Sequence, residues 1–130
     1  MYLIDDGIIA NAIAGDSKLL DRLERLGTDQ WAIPANVAAE VIFDIANNPG
    51  VFKEMRESIE NFLRNSRIMP LDFETLRLAA ESRVAVADQE TYFERHKITT
   101  YALALSMNAI LVTRDKHFYP SSDELVIDRW

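Results

Sequence analysis

Cysteine is missing from all 130 residues, which excludes disulfides and thiolate chemistry and removes any need for an oxidising compartment. Also missing are a basic leader and a long apolar stretch, since Met1 runs straight into Tyr2-Leu3-Ile4 and then meets Asp5. The sequence therefore predicts neither a signal peptide nor a membrane span, and a soluble cytoplasmic protein is the expectation. Basic residues are in short supply: 14 Lys and Arg face 21 Asp and Glu, for a net charge of −7. A module that holds nucleic acid mainly by its phosphates is normally basic, so this balance argues against one. It argues less against an enzyme that acts on phosphodiesters, because part of the acidity would then hold cations. Mild acidity also keeps a cytosolic domain soluble, which is the plain alternative.

What is present is a regular alternation. A chain of this length makes one domain, residues 1–130, with enough residues for its own core. Short apolar runs read as strands at Tyr2–Ile4, Trp31–Pro34, Arg67–Leu71, Ile110–Thr113 and Leu125–Asp128. Helical stretches separate them: from Asp5 to Ala14, from Asp16 to Gly27, from Asn36 to the Asn47-Asn48-Pro49-Gly50 break, over 51–65, over 72–87 and over Ile98–Met107. Strands alternating with helices predict an α/β domain with a parallel sheet. The polar stretch Asp88–His96 has no clear assignment. Repeats, linkers and low-complexity segments are absent from the sequence.

Two of the apolar runs end on acid, Tyr2-Leu3-Ile4 on Asp5-Asp6 and Ile110-Leu111-Val112-Thr113 just before Asp115. In an open parallel sheet, ligands bind beyond the carboxyl ends of the strands. Glu40 lies about one turn into the helix after the second strand, which points to the same edge. Three converging carboxylates repel one another and raise each other's pKa values. A bound Mg²⁺ or Mn²⁺ removes that penalty and can activate water for phosphoryl displacement. Singly, each acid has a plain reading: Asp5 as a turn residue, Glu40 as a solvated helix residue, Asp115 as part of a turn. Their joint placement is the informative feature.

The motifs Met1-Tyr2-Leu3-Ile4-Asp5, Ile33-Pro34 through Glu40-Val41, and the segment from Ala102 to Phe118 resemble the PIN-domain ribonucleases, most of all the small VapC-type toxins of toxin–antitoxin pairs. The resemblance spans essentially the whole chain, and its last block is the most specific. It implies a three-layer α/β/α fold with a five-stranded parallel sheet in the order 3-2-1-4-5. It also implies metal-dependent cleavage of RNA with Mg²⁺ or Mn²⁺, a homodimer, a cognate antitoxin, and no membrane partner. The expected catalytic and metal-holding residues are Asp5, Glu40 and Asp115, with Thr113 orienting a carboxylate by a hydrogen bond.

The chain departs from the family pattern at two places. Fourteen positions before Leu111, where another acid usually stands, is Lys97; after Asp5 come Asp6 and Gly7 rather than a hydroxyl residue and asparagine. The first change lowers the negative charge of the site by two, and cation affinity falls with ligand charge. Three arrangements are then open. Lys97 reaches into the cluster in place of a cation, or Glu94 swings into the vacancy one turn away, or Lys97 snorkels to solvent. The leading expectation is a metal-dependent endoribonuclease; the alternative is a catalytically impaired PIN domain that acts as a binding or regulatory module. Asp6 is expected to face away or to cap the following helix. His96 and His117 are expected on the surface, and Trp31 and Trp130 in packing roles. The arginines are scattered and form no phosphate track.

Overall fold

The computed structural model describes residues 1–89 and 93–130. In chain order its elements are β1 Tyr2–Ile4, α1 Asp6–Ile13, α2 Ser17–Leu26, β2 Trp31–Pro34, α3 Ala35–Asn47, α4 Arg56–Arg64, β3 Ile68–Met69, α5 Phe73–Val86, α6 Arg95–Met107, β4 Ile110–Val112 and β5 Val126–Asp128, with a short 3-10 turn at Lys116–Phe118. All strand pairs are parallel and the sheet order is 3-2-1-4-5, as the resemblance implies. The strands are short and almost wholly apolar because both faces of the sheet are covered. Ile4, Ile33 and Val112 turn to one face, where they pack with Ile8, Leu23, Val37, Ile59 and Leu63 of α1 to α4. Leu3, Ala32 and Leu111 turn to the other, against Leu103 and Ala104 of α6. This alternation is the period-two pleat of a strand.

The helix ends follow their capping residues. Asp16 accepts from the Leu19 N–H at 3.1 Å and Asp72 from the Thr75 N–H at 2.8 Å, each tying down a donor that the first turn leaves free. Gly27 closes α2 at φ +79°, and Asn108 closes α6 in the left-handed region at φ 51°, a conformation that asparagine tolerates. Among the described residues, no helix is long and apolar enough to cross a membrane.

Three boundaries differ from expectation. The helix expected over 51–65 begins only at Arg56; Val51 to Met55 form turns, with the Arg56 N–H bonded to the Phe52 carbonyl at 2.8 Å. Phe52 reaches the core from these turns without a helix to carry it, while Val51 stays exposed. The third strand shrinks to Ile68–Met69 because Pro70 has no N–H to continue the ladder. Most consequential, α6 starts at Arg95 rather than Ile98, which puts His96 and Lys97 inside its first turn. Residues 90–92 of the polar stretch before it lie outside the described residues.

Leu111 is fully buried in the central strand pair with β1. Leu111→Ala should cost about 2–5 kcal/mol of stability, from lost burial and the cavity left behind. Urea denaturation measures this as a lower midpoint at an unchanged slope.

Candidate functional site

The pairing of β1 with β4 places Ile4 opposite Val112, so the residues just past both strands emerge side by side. Asp5 continues the ladder by one bond, its N–H donating to the Val112 carbonyl at 3.2 Å. Its side chain is buried, and each oxygen has a protein partner. Oδ1 accepts the Ile8 N–H at 2.9 Å and so caps α1, while Oδ2 accepts the Tyr119 hydroxyl at 3.2 Å. Asp115, half-buried, starts the 3-10 turn and accepts the His117 N–H at 2.9 Å. The Thr113 hydroxyl accepts from the Asp115 N–H at 3.2 Å. It therefore fixes the loop backbone, and among the described residues it makes no bond to a carboxylate.

These residues open onto a cavity of about 390 Å³ that Asp5, Asp6, Glu94, Lys97, Thr113, Asp115, Asn11, Arg114 and Phe118 line. Two of the three expected acids thus meet at the edge of the sheet. The third does not line this cavity. Glu40 is half-buried on α3. One turn earlier on α3, Asn36 bonds to α6: its Nδ2 donates to the His96 carbonyl at 2.9 Å and to Thr100 Oγ1 at 3.0 Å. Glu40 lies four residues further along, about 6 Å along the helix axis.

Lys97 reaches inward. With its residue only 6% exposed, it sets Nζ 2.5 Å from Asp6 Oδ1, 3.6 Å from Asp5 Oδ2 and 3.4 Å from the Tyr119 hydroxyl oxygen. The Tyr119 and Phe118 rings flank the ammonium at 5.1 Å and 5.3 Å, close enough for cation–π attraction. Of the three arrangements open to the sequence, the structure adopts the one in which the lysine enters the cluster. Glu94 lines the cavity from the residue before α6 but makes no capping bond there.

Asp6 departs from expectation. Alternation along a strand turns it away from Asp5, but Asp6 is already the first residue of α1, and helical geometry directs it to the same cavity. His96 is likewise no surface residue: its side chain is 14% exposed, with Nε2 3.4 Å from Asp6 Oδ2 and 3.3 Å from Glu94 Oε2. Neither contact is aligned as a hydrogen bond, so the two carboxylates attract the ring only when it is protonated. Tyr119 was invisible to pattern reading, since nothing local marks a phenol that meets an aspartate 114 positions earlier. One general signal does apply, that a buried tyrosine hydroxyl needs a partner.

The charges are mutually adjusted. Burial pushes the Asp6 carboxyl up, but the contacts and charges of His96 and Lys97 outweigh it and hold the group well below the usual carboxylate range. Burial drives the Tyr119 phenol far above its ordinary value, reinforced by the negative charges of Asp5 and Asp6, so it acts as a protonated donor. The Asp6 carboxylate raises His96 above 6.5 despite partial burial.

The residues present do not fit a divalent ion in this arrangement. An ammonium lies among the carboxylates, both Asp5 oxygens already accept hydrogen bonds, and Glu40 is outside the cavity. Among the described residues, no group of three or more His, Asp or Glu side chains is placed to hold a metal.

A fold of this order with an acidic cavity at the ends of β1 and β4 defines a class, and comparison with known proteins identifies it. The PIN-domain family model matches residues 2–120, and the chain belongs to that family. Its fold is similar to that of VapBC2 from Rickettsia felis bound to a promoter DNA fragment, with a TM-score of 0.82 at 21% identity over 99% of this chain and 98% of that one. DNA-bound VapBC from Salmonella typhimurium gives 0.80 at 16% identity, covering 99% and 97%. VapBC-1 from nontypeable Haemophilus influenzae gives 0.78 at 17%, also covering 99% and 97%. No curated protein matches the chain significantly in sequence.

A raised histidine pKa stabilises the fold below the unfolded value near 6.5, and that contribution is lost as pH rises through the folded value. The His96 ring should therefore titrate above 6.5 by NMR. His96→Gln should remove the loss of thermal stability seen in the wild type as pH is raised from 6 to 8.

Proposed function

We propose that this chain is the toxin-type subunit of a VapC-like toxin–antitoxin pair, a cytoplasmic PIN-domain protein that works bound to an antitoxin. Its carboxylate cavity does not hydrolyse RNA through a divalent metal. One observation carries this reading: the cavity holds an ammonium, that of Lys97, where metal-dependent cleavage calls for a further carboxylate. The family match and the fold likeness to VapBC structures support the antitoxin partner. So do exposed apolar side chains on and after α3, namely Ile42, Phe43, Val51 and Met55, and a net charge of −7 that suits a basic partner segment.

A second reading has its own observation. Asp5 and Asp115 emerge from adjacent strands into one cavity, with Glu94 in its lining, which favours a metal-dependent endoribonuclease using Mg²⁺ or Mn²⁺. On that reading Asp5 and Asp115 would contact the ion, and Lys97 would have to leave them. Glu40 would have to be brought in from outside the cavity.

RNA incubated with the purified protein separates the two. We expect no Mg²⁺- or Mn²⁺-dependent cleavage above that of the Asp5→Asn variant, and a stable complex when the chain is co-expressed with its cognate antitoxin. Metal-dependent cleavage by the wild type that Asp5→Asn abolishes would establish the second reading.

The homodimer is part of the proposal. Helix α5 buries Thr75 and Ala79 but leaves Phe73, Leu76 and Val84 exposed on a different face. Sedimentation should show a dimer at micromolar concentration and a shift towards monomer on Phe73→Asp.

A further inference from the structure

The Lys97 side chain sits where helix electrostatics oppose it. The first turn of a helix carries the positive end of the macrodipole and favours anions, yet α6 places a buried ammonium there. A buried charge persists only when paired and hydrogen-bonded. Here it is both: the ammonium donates to Asp6 Oδ1 and to the Tyr119 hydroxyl oxygen, and a third oxygen, Asp5 Oδ2, lies 3.6 Å away as an ion-pair partner. The two aspartates belong to the junction of β1 and α1, and Tyr119 comes just after the 3-10 turn beyond β4. The ammonium therefore joins three separate segments of chain through oxygen contacts, which is the task a shared cation performs in an oxygen-ligand site.

Asp6 completes the balance. It occupies the first turn of α1, where a carboxylate is favoured by that helix's own dipole, and it lies nearest the ammonium. Its nearest oxygens all belong to the protein and its residue is only 6% exposed, so the ammonium is a poor docking point for an anionic substrate.

We propose that Lys97 is an internal cation that replaces a divalent ion, with Asp6 as its dedicated counter-charge. The pair fastens the start of α6 to the β1–α1 junction, so the acidic centre folds and stays balanced without metal. Replacing Lys97 by a carboxylate opens the same centre to a divalent cation. This inference rests on reading the cavity as the centre of the PIN domain, but its test uses metal affinity and stability rather than RNA or antitoxin.

Calorimetric titration with MnCl₂ and thermal melts in Mn²⁺ or EDTA provide the measurement. The wild type should show no Mn²⁺ binding, and its Tm should be the same in both media. Lys97→Asp should bind Mn²⁺ and melt higher in Mn²⁺ than in EDTA. Lys97→Met strands Asp6 and Asp5 without their cation and should lower Tm by about 10 °C. Asp6→Asn should also lower it, and the Asp6→Asn/Lys97→Met double variant should lose clearly less than the two single losses combined. Micromolar Mn²⁺ binding by the wild type would overturn the inference, as would folded Lys97→Asp that ignores Mn²⁺ or additive single losses. Should Lys97→Asp fail to fold, the double variant still decides. An antitoxin that fails to bind would count against the proposed function while leaving these outcomes standing.

Discussion

The constraint on which the site depends is the parallel register of β1 against β4. Three residue pairs, Tyr2 with Ile110, Leu3 with Leu111 and Ile4 with Val112, fix where each strand stops relative to the other. A slip of one residue would exchange the faces of β1, sending Ile4 out of the cluster it shares with α1 to α4 and Leu3 out of the cluster beneath α6. Burial on both faces forbids the slip, so the apolar core sets the spacing of carboxylates that lie beyond it. The electrostatics of the cavity are in this sense a product of packing.

Within that frame, the balance of charge separates this chain from the metal centre that its sequence suggests. Carboxylates brought together at a strand edge must be neutralised by something. A divalent ion is exchangeable, whereas a lysine is covalently part of the chain and always available. The Lys97 position on the first turn of α6 is unfavourable for a cation taken alone, and Asp6 offsets it. Tyr119, held protonated by its surroundings, donates to Asp5 without adding charge.

Much of the fold was legible in the sequence, and the reasons are local. Asp16 and Asp72 announced helix starts because a short acceptor before an amphipathic run satisfies free N–H groups. Continuous apolar runs announced strands covered on both faces. What local pattern could not supply was the outcome of competition between residues far apart. The helix expected from residue 51 begins only at Arg56, because Phe52 finds the core from a turn and needs no helix to reach it. The direction of Lys97 depended on whether α6 began before it. Strand alternation misdirects Asp6, which already belongs to α1. Whether Glu40 reaches the cavity is not a local property either: the residue does not line it, and Asn36, one turn earlier on α3, bonds to α6.

Asp5 is a side chain with two employments. One of its oxygens ends a helix and the other faces the cavity, so the group belongs at once to the scaffold and to the centre. Truncation to alanine, unlike the asparagine that keeps the capping oxygen, would loosen the start of α1 as well as alter the cavity, and a lost function could not then be assigned to either cause. Evolution meets the same difficulty: a lineage can abandon chemistry at this centre and still be obliged to keep its aspartate. Persistence of that residue among relatives would accordingly be poor testimony that any of them still performs a reaction.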